Sequence, residues 1–421
     1  MENKKIKIGL IGLGTVGTGV HKCLRDSEVV EIVQIAVKSM DKKRDIDNFD
    51  SSILCTDGLS VAKNPNIDIL VEVIGGIHPA LDIIKTAIEN GKHVVTANKE
   101  LLAKHGAEIF ELANKNGKTI LYEAAIGGGI PIVMPIKTTL AGNRIDKIMA
   151  ILNGTTNYIL TKMDLEGAGY DETLKEAQRL GYAETDPTGD VEGLDAKYKI
   201  TTLSTIAFGE KIKVEEVYAQ GITQIHAEDM ANANELGYKI KLIALAQRVG
   251  ADKADVRVHP MLIDKNHPLA TINGVTNGVM ISGHPVGDVM LSGAGAGEFP
   301  TASSVIGDIM TLAAGFKDSH LLKCSHDKFA DMVDVSETVN KYYISINARN
   351  NFGVIESLGR IFAQNKISIS MLLQKGLQSD NTANIIVVTE ECVERSMLNA
   401  TEQLNREECV NKINSLIRVA L

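Results

Sequence analysis

The chain has 421 residues, of which 44% are apolar and 23% charged, and its formal net charge is −9. At ~150 residues per domain, this length is enough for two or three domains with sizeable cores. The negative charge argues against a nucleic-acid partner, because no basic stripe is available for phosphate contacts. We expect no membrane contact, since no window has the ~20 apolar residues of a spanning helix. Five scattered cysteines without CxxC spacing are typical of a reduced, cytoplasmic protein.

Residues 1–140 alternate strand and helix patterns, as βαβ units do. Strands are predicted in the segments KIKIGLIGLG, VVEIVQIAVKS, IDILVEVIGG, KHVVTANK and KTILYEAAIGGG. Helices are predicted in VGTGVHKCLRDS and in ALDIIKTAIENG, where Gly91 takes the C-cap position. Continuous apolar strands separated by helices predict an α/β fold with a Rossmann-type parallel sheet, whose ligand crevice lies at the carboxyl ends of the strands.

The rest of the chain divides into three segments. Residues 141–317 mix helix and strand patterns and predict an α+β domain for substrate binding and dimerisation, from which a helix at 298–315 returns to the first domain. The polar residues 318–340 are interpreted as a linker. Residues 341–421 have the order strand, helix, strand, strand, helix, strand, which predicts a ferredoxin-like βαββαβ domain.

A glycine motif follows the first predicted strand. In Gly12-x-Gly14-x-x-Gly17, the first glycine permits a tight turn, the second lets backbone approach a pyrophosphate, and the third allows close packing of helix on strand. A strand before the motif and a helix after it are the context that favours a dinucleotide site over a simple glycine-rich turn. The cofactor-binding residues assigned here are Gly12, Leu13, Gly14, Thr15, Val16, Gly17 and, after a later strand, Gly75.

The end of the second predicted strand indicates which dinucleotide binds. A site for NAD usually carries an acidic residue about 20 residues after the glycines. This chain has Val37-Lys38-Ser39 there, followed by a basic stretch at 42–44. Positive charge suits the 2′-phosphate of NADP, so Lys38 predicts NADP, with NAD still possible. The alternative for the basic stretch is a solvated loop.

The most informative polar stretch is GYAETDPTGDVEGLDAKYK. Asp190 is a suitable N-cap, which predicts a helix that begins at Val191. Asp195 and Lys199 are then four residues apart and share one face, with Glu184 in the preceding loop. By spacing alone, a surface ion pair is the more common explanation for such a pair.

Six motifs give the sequence a resemblance to the homoserine dehydrogenase family. They are GLGTVG, TANK, EAAIGGGIPI, ILNGTTNYIL, LGYAETDPTGDVEGLDAKYK and SGAGAGEFPTASSV, in the family's order. The C-terminal segment resembles an ACT domain, and no aspartate kinase segment precedes the glycine motif, as in the monofunctional bacterial form. The resemblance implies NAD(P)H-dependent interconversion of L-aspartate 4-semialdehyde and L-homoserine, toward threonine, methionine and isoleucine.

The resemblance also implies roles for individual residues. Lys199 matches the family's proton donor, and Lys99 in TANK matches a second lysine near the nicotinamide and the reacting carbonyl. Asp195 and Glu184 match the substrate-binding carboxylates, and Asp195 is also a candidate catalytic residue with the two lysines. Thr155 matches a residue near the substrate, although a helix cap explains it equally well.

Further matches concern the cofactor and a cation. Gly181 and Gly297, with Gly295, match backbone on the cofactor side. A monovalent cation, sodium in the first place, is implied by the residues that match the family's cation site, namely Glu123, Ile126, Gly128 and Ile130. One carboxylate and three backbone carbonyls are suitable ligands for a hard cation.

The C-terminal segment is expected to pair with another copy, in a homodimer or homotetramer, and to bind an amino acid, with threonine as first candidate. The alternative is an oligomerisation module without a ligand. Because every candidate catalytic residue precedes this segment, a chain that ends near residue 330 is expected to stay active.

The alternative to an enzyme is a non-catalytic sensor of NADP and amino acids. A phosphorylating semialdehyde dehydrogenase is disfavoured because no cysteine has a catalytic context.

Overall fold

The computed structural model describes residues 5–44, 46–47, 49–250, 253–316, 328–377 and 382–420. These form two compact units. The first comprises the described residues among Met1–Ile148, Asp195–Val217 and Thr276–Ala330, and the second those among Met149–Leu194, Tyr218–Val275 and Asp331–Leu421. Both units are therefore discontinuous in sequence. Residues 195–217 and 276–297 lie in the first unit, although the sequence analysis groups them with the substrate domain. The helix predicted at 298–315 lies in the first unit, as expected.

The amino-terminal part of the chain alternates strands and helices. They are β1 (Ile6–Ile11), α1 (Thr15–Leu24), β2 (Val30–Ala36), β3 (Leu54–Cys55), α2 (Gly58–Lys63), β4 (Ile69–Glu72), α3 (Ala80–Glu89), β5 (His93–Thr96), α4 (Lys99–Lys115), β6 (Ile120–Leu121), α5 (Ala124–Gly127), α6 (Val133–Lys137) and β7 (Arg144–Ile151).

The remaining described elements are α7 (Gly154–Glu166), α8 (Tyr170–Arg179), α9 (Thr188–Val191), α10 (Leu194–Phe208), β8 (Tyr218–Ala219), α11 (Ala227–Glu235), β9 (Tyr238–Val249), β10 (Lys253–Asp264), β11 (Thr276–His284), β12 (Gly287–Ala294), α12 (Glu298–Ala313), β13 (Asp331–Met332), β14 (Val339–Arg349), α13 (Val354–Gln364), β15 (Ile369–Leu377), β16 (Thr382–Thr389), β17 (Cys392–Val393), α14 (Glu394–Leu404) and β18 (Val410–Val419). No helix in the described part of the chain has the length and apolar character that crossing a bilayer requires.

Six strands of the first unit form a parallel sheet in the order β3-β2-β1-β4-β5-β6. The predicted Rossmann-type parallel sheet is confirmed. Chain order reverses between β1 and β4, and a crevice for a ligand forms at the carboxyl ends of strands at such a point. The apolar strands predicted from sequence are buried because helices cover the sheet. The buried apolar core includes Ile8, Leu10, Ile35, Val71, Val95, Val305 and Ile309.

Helix α12 packs on α1 within the first unit. A Cβ at Gly19 of α1 would lie 2.6 Å from the carbonyl oxygen of Glu298, so a side chain there would keep the two helices apart. Buried apolar residues of α12, Val305 and Ile309 among them, complete the core over the sheet. Helix α12 thereby brings its first turn to the same unit as the glycine motif.

The second unit contains a sheet with the order β9-β10-β18-β14-β16-β15. Residues 339–419 give the element order β14, α13, β15, β16, α14, β18, apart from the two-residue β17, and their four long strands are antiparallel in the order β18-β14-β16-β15. This is the βαββαβ order that the sequence predicts. Whether it is an ACT domain remains a prediction.

The C-terminal strands are continuous with β10. Strand β18 pairs with β10 through Met261–Arg418 and Leu262–Val419, and β13 pairs with the start of β10. The buried Asp229 accepts hydrogen bonds from the hydroxyls of Tyr343 (3.1 Å) and Ser415 (2.5 Å). A chain that ends near residue 330 would lose these contacts. We therefore expect it to lose the fold of the second unit, contrary to the expectation from sequence.

Two local predictions need correction. Asp190 does not cap a helix that begins at Val191. It lies inside the short α9, and the chain turns again before α10 begins at Leu194. Part of the predicted 318–340 linker, residues 318–327, lies outside the described residues, and its later residues Asp331–Met332 form β13.

Candidate active site

The glycine motif joins β1 to α1. Gly12 has a φ of +104°, a value that favours glycine, and a Cβ at Gly17 would lie only 2.2 Å from the Gly12 carbonyl oxygen. Gly14 precedes α1, and a Cβ there would meet nothing within 4 Å. No side chain caps α1, so this helix end presents backbone N–H groups to an open surface, as a pyrophosphate site requires. These residues fit a dinucleotide.

The side chains of the motif differ in exposure. Thr15 is exposed and Val16 half-buried, whereas the side chain of Leu13 is buried in the apolar core. A contact between Leu13 and a cofactor would therefore involve its backbone.

The loop after β2 is ordered by Arg44. Its guanidinium donates hydrogen bonds to the carbonyl oxygens of Ser39 (2.6 Å), Lys42 (2.8 Å) and Met40 (3.2 Å). Arg44 therefore holds the loop closed, whereas Lys42 and Lys43 are exposed, as the alternative of a solvated basic loop expects. Lys38 is exposed at the start of this loop, where a cation can meet a phosphate on the ribose.

The turn after β4 is held by a buried carboxylate. Glu72 accepts hydrogen bonds from the backbone N–H groups of Ile74 (2.8 Å) and Gly75 (3.2 Å), and from the Thr96 hydroxyl (2.6 Å). Asn98 donates to the Gly76 carbonyl (2.6 Å). Sequence reasoning missed Glu72, Thr96 and Asn98. An acidic residue that ends an otherwise apolar strand, as in ILVE, is the signal that could have identified Glu72.

Three charged side chains meet where α4 and α10 begin. The Asp195 carboxylate contacts the Lys99 ammonium through one oxygen and accepts a 2.8 Å hydrogen bond from the Lys199 ammonium through the other. The side chains of Asp195 and Lys199 are 8% and 10% exposed, and that of Lys99 is 41% exposed. The Asp195–Lys199 pair is therefore buried, and a surface ion pair does not describe it. The structure brings together the three residues to which the resemblance assigns catalysis.

Helices explain why these side chains meet. Asn98 caps α4 by accepting the Leu101 N–H (3.2 Å), so Lys99 is the first residue of that helix. Asp195 and Lys199 are one turn apart on α10 and share a face, as the spacing predicts.

The other candidate substrate residues lie in the second unit. The Thr155 hydroxyl donates to the Tyr182 carbonyl (2.5 Å), which ties α7 to the loop that carries Gly181 and Glu184. The cap of α7 is Asn153, which accepts the Thr156 N–H (2.8 Å), so the alternative that Thr155 is the cap is wrong. Glu184 is exposed.

The loop after β6 carries the residues that match the family's cation site, and that site stays a prediction. Glu123 is buried, and its side chain accepts three backbone N–H groups at the start of α6, from Ile132, Val133 (2.7 Å) and Met134 (2.8 Å). Its carboxylate thus caps that helix. Among the described residues, no three or more His, Cys, Asp or Glu side chains form a group that could hold a metal ion.

The same loop packs closely on the turn before α12. A Cβ at Gly128 would lie 2.1 Å from the Gly295 carbonyl oxygen, and the Ser304 hydroxyl donates to the Gly128 carbonyl (2.6 Å). Gly297, with a φ of +125°, immediately precedes α12. The glycines of both segments therefore let two backbone turns meet.

Comparison with known proteins identifies related chains. Residues 12–123 match the family model described as homoserine dehydrogenase, NAD binding domain, and residues 131–310 match the model described as homoserine dehydrogenase. A curated homoserine dehydrogenase from Synechocystis sp. is 43% identical over 98% of this chain and 99% of its own length.

Solved structures agree with these matches. A homoserine dehydrogenase from Thiobacillus denitrificans aligns with a TM-score of 0.91 and 38% identity, covering 99% of this chain and 98% of that one. A hyperthermophilic archaeal homoserine dehydrogenase in complex with NADPH aligns with a TM-score of 0.65 and 27% identity, covering 75% of this chain and 99% of that one.

Proposed function

The chain belongs to the homoserine dehydrogenase family and is an oxidoreductase with a nicotinamide-binding domain, and on that premise we propose that Lys199, Lys99 and Asp195 form its catalytic group. The observation that carries this proposal is the carboxylate of Asp195, which contacts both ammonium groups at the carboxyl end of the parallel sheet. A carboxylate that holds two cations beside a crevice is suited to placing a proton donor.

Lys199 is the general acid of this proposal. Reduction of L-aspartate 4-semialdehyde adds a hydride to the aldehyde carbon and a proton to its oxygen, which gives L-homoserine. Bound NADPH supplies the hydride. The Lys199 ammonium donates the proton to the developing alkoxide and regains one from solvent, while Asp195 keeps its side chain in place. Lys99 stabilises the negative charge on the oxygen.

The substrate also carries an α-amino and an α-carboxylate group. We assign the amino group to Glu184, because this exposed carboxylate lies on a loop that Thr155 holds through Tyr182. Asp195 already accepts from two ammonium groups, so its contribution to substrate binding is indirect, through the lysines. Gly181 lies on the same loop as Glu184 and remains assigned to cofactor-side backbone.

NADP is the proposed cofactor. The open N-terminus of α1 would hold the pyrophosphate through Gly14, Thr15 and Val16, and Lys38 would meet the 2′-phosphate. The related archaeal enzyme in complex with NADPH supports this choice. The monovalent cation, sodium in the first place, stays a proposal at Glu123, Ile126, Gly128 and Ile130, and we derive no step of the reaction through it.

The C-terminal βαββαβ segment is proposed to be an ACT domain that binds threonine and pairs with a second copy in a homodimer or homotetramer. Gly353, Asn350 and Asn351, in the turn between β14 and α13, are the candidate ligand residues. Threonine should inhibit the full chain, and a Gly353→Val variant should lose that inhibition while keeping its activity.

We also propose a cytoplasmic location, since the cysteines of the described residues are free.

A cofactor-oxidation assay tests the catalytic proposal. With L-aspartate 4-semialdehyde and NADPH, Lys199→Ala should lower kcat by roughly 10²–10⁴-fold without loss of NADPH binding. Lys197→Ala is the matched control, because Lys197 lies on the same helix two residues away and points to another face. Near-normal kcat in Lys199→Ala contradicts the assignment. A wild-type chain that binds NADPH but never oxidises it would favour the non-catalytic sensor.

A further inference from the structure

Glu72 is an acidic side chain buried at the carboxyl end of a central strand. It is 0% exposed, and no catalytic role has been given to it above. We propose that Glu72 is a positioning residue, which sets the Lys99 ammonium and the Ile74–Gly76 turn in one geometry for hydride transfer. The inference rests on the proposed function in two respects, that Lys99 acts at the reacting carbonyl and that NADPH binds beside the Ile74–Gly76 turn.

The Glu72 carboxylate accepts hydrogen bonds from Ile74, Gly75 and Thr96, and each of these groups donates to it. One oxygen accepts the N–H groups of Ile74 and Gly75, and the other accepts the Thr96 hydroxyl. A carboxylate suits such a site because it is an acceptor with no proton to place, whereas a carboxylic acid would have to direct its own proton at a donor. Burial raises the pKa of Glu72 above its ordinary value, and these hydrogen bonds offset only part of that rise.

A relay connects Glu72 to α4. The Thr96 hydroxyl, oriented because it donates to Glu72, accepts the backbone N–H of Asn98 (3.0 Å). Asn98 then caps α4 by accepting the Leu101 N–H. Lys99 is the next residue after this cap, so the direction of its side chain depends on how the cap is placed. Three side chains thus fix the start of the helix that carries a catalytic lysine.

The same carboxylate shapes the turn that faces the crevice. Glu72 binds the turn at Ile74 and Gly75, and the Asn98 amide donates to the Gly76 carbonyl. A Cβ at Gly75 would meet nothing within 4 Å, so the outer surface of the turn is open to a ligand. The turn follows β4, which lies beside β1 at the point where strand order reverses. A cofactor bound there rests on a surface that Glu72 holds rigid.

Substitution of Glu72 by glutamine tests this role. The glutamine oxygen can replace only one carboxylate oxygen, and its NH₂ group must then face either the backbone N–H groups or the Thr96 hydroxyl. We expect kcat to fall at least about tenfold, since a shift of ~1 Å at a reacting group can cost 10²-fold. We also expect the Kd for NADPH, measured by fluorescence titration without turnover, to rise about three- to tenfold.

Thr96 variants separate the two branches of the relay. Thr96→Val removes the hydroxyl that links Glu72 to Asn98, so kcat should fall while the Kd for NADPH stays within about twofold, because the contacts of Glu72 with the turn remain. Thr96→Ser keeps the hydroxyl and should restore kcat. Glu100→Gln is the matched control, because Glu100 is an acid in the first turn of α4 that pairs with Lys104 away from this relay. It should leave kcat and Kd unchanged.

The outcomes distinguish positioning from a purely structural role. If Glu72→Gln does not fold, the Thr96 variants decide, and equal kcat in wild type, Thr96→Val and Thr96→Ser overturns the inference. If Glu72→Gln folds with kcat and Kd within twofold of wild type, the inference is wrong. An unchanged kcat in Lys99→Met would refute the proposed role of Lys99 instead, and a raised Kd for NADPH in Glu72→Gln would then still support the placement of the turn.

Discussion

Replacement of Asp195 by asparagine tests the charge arrangement of the site directly. The substitution keeps the shape of the side chain and removes the negative charge that pairs with Lys99 and Lys199. The two lysines differ in burial, since the Lys199 side chain is 10% exposed and the Lys99 side chain 41% exposed. This difference predicts unequal consequences for the two pairs.

The magnitude follows from burial. Removal of one partner of a buried ion pair costs about 3–5 kcal/mol, whereas a solvent-exposed pair is worth about 0–1 kcal/mol. Asp195→Asn should therefore lower the free energy of unfolding by about 3–5 kcal/mol, almost entirely through Lys199. Adding Lys199→Met removes the buried cation and should recover at least half of the loss. Adding Lys99→Met should recover less than about 1 kcal/mol, because the exposed ammonium can turn to water.

The assay is urea unfolding of wild type, the single variants and the two double variants at pH 7. Fluorescence and circular dichroism are recorded together, because coincident transitions are needed before free energies are compared. Steady-state kinetics on the same samples should show kcat reduced at least about tenfold in Asp195→Asn, since the proton donor loses the carboxylate that orients it. The burial reasoning is refuted if Asp195→Asn costs less than about 1 kcal/mol, or if both lysine substitutions rescue it equally.

Other perturbations give further expected outcomes. Lys38→Ala should weaken NADP binding by ~1.5–3 kcal/mol and leave NAD almost unaffected in parallel titrations, and an equal loss for both would assign Lys38 to shared parts of the cofactor or to the fold. Burial raises the pKa of Asp308 from 3.8 to about 8, so the folded state holds this proton more tightly than the unfolded state. The resulting contribution to the free energy of unfolding is full below pH 3.8 and is lost as the pH rises to about 8. Asp308→Asn should flatten that decline in urea unfolding between pH 5 and 9, and an unchanged slope would show that another group titrates. Glu394→Gln should cost about 3–5 kcal/mol in thermal unfolding, because Glu394 and its bidentate partner Arg418 are 2% and 5% exposed, and a cost below about 1 kcal/mol would contradict this.

Much of the fold could be predicted from local sequence patterns. Apolar runs separated by amphipathic helices predicted the parallel sheet, because strands buried on both faces must be continuously apolar. The spacing of Gly12, Gly14 and Gly17 predicted a strand, a turn and a helix. Each glycine permits a tight turn or a close backbone contact with residues only a few positions away. The four-residue spacing of Asp195 and Lys199 predicted a shared helix face for the same reason.

Long-range contacts decided what the local patterns left open. Spacing alone favoured a surface ion pair for Asp195 and Lys199, but α10 packs in the first unit and buries both side chains. The sequence near Lys99 does not indicate that its ammonium contacts Asp195. The sequence also does not indicate that the start of α6 brings three N–H groups to the Glu123 carboxylate.

The C-terminal segment shows the same division. The spacing of apolar residues within each element predicts its βαββαβ order, so the sequence alone determined this order. That β18 pairs with β10, and that Tyr343 and Ser415 bind Asp229, depends on residues more than a hundred positions apart. Such pairings arise because buried polar groups and strand edges need partners, and the sequence does not state which distant segment supplies them. The sequence by itself determined the elements and the chemistry they carry, and the tertiary structure decided which charges are buried and which partners hold them.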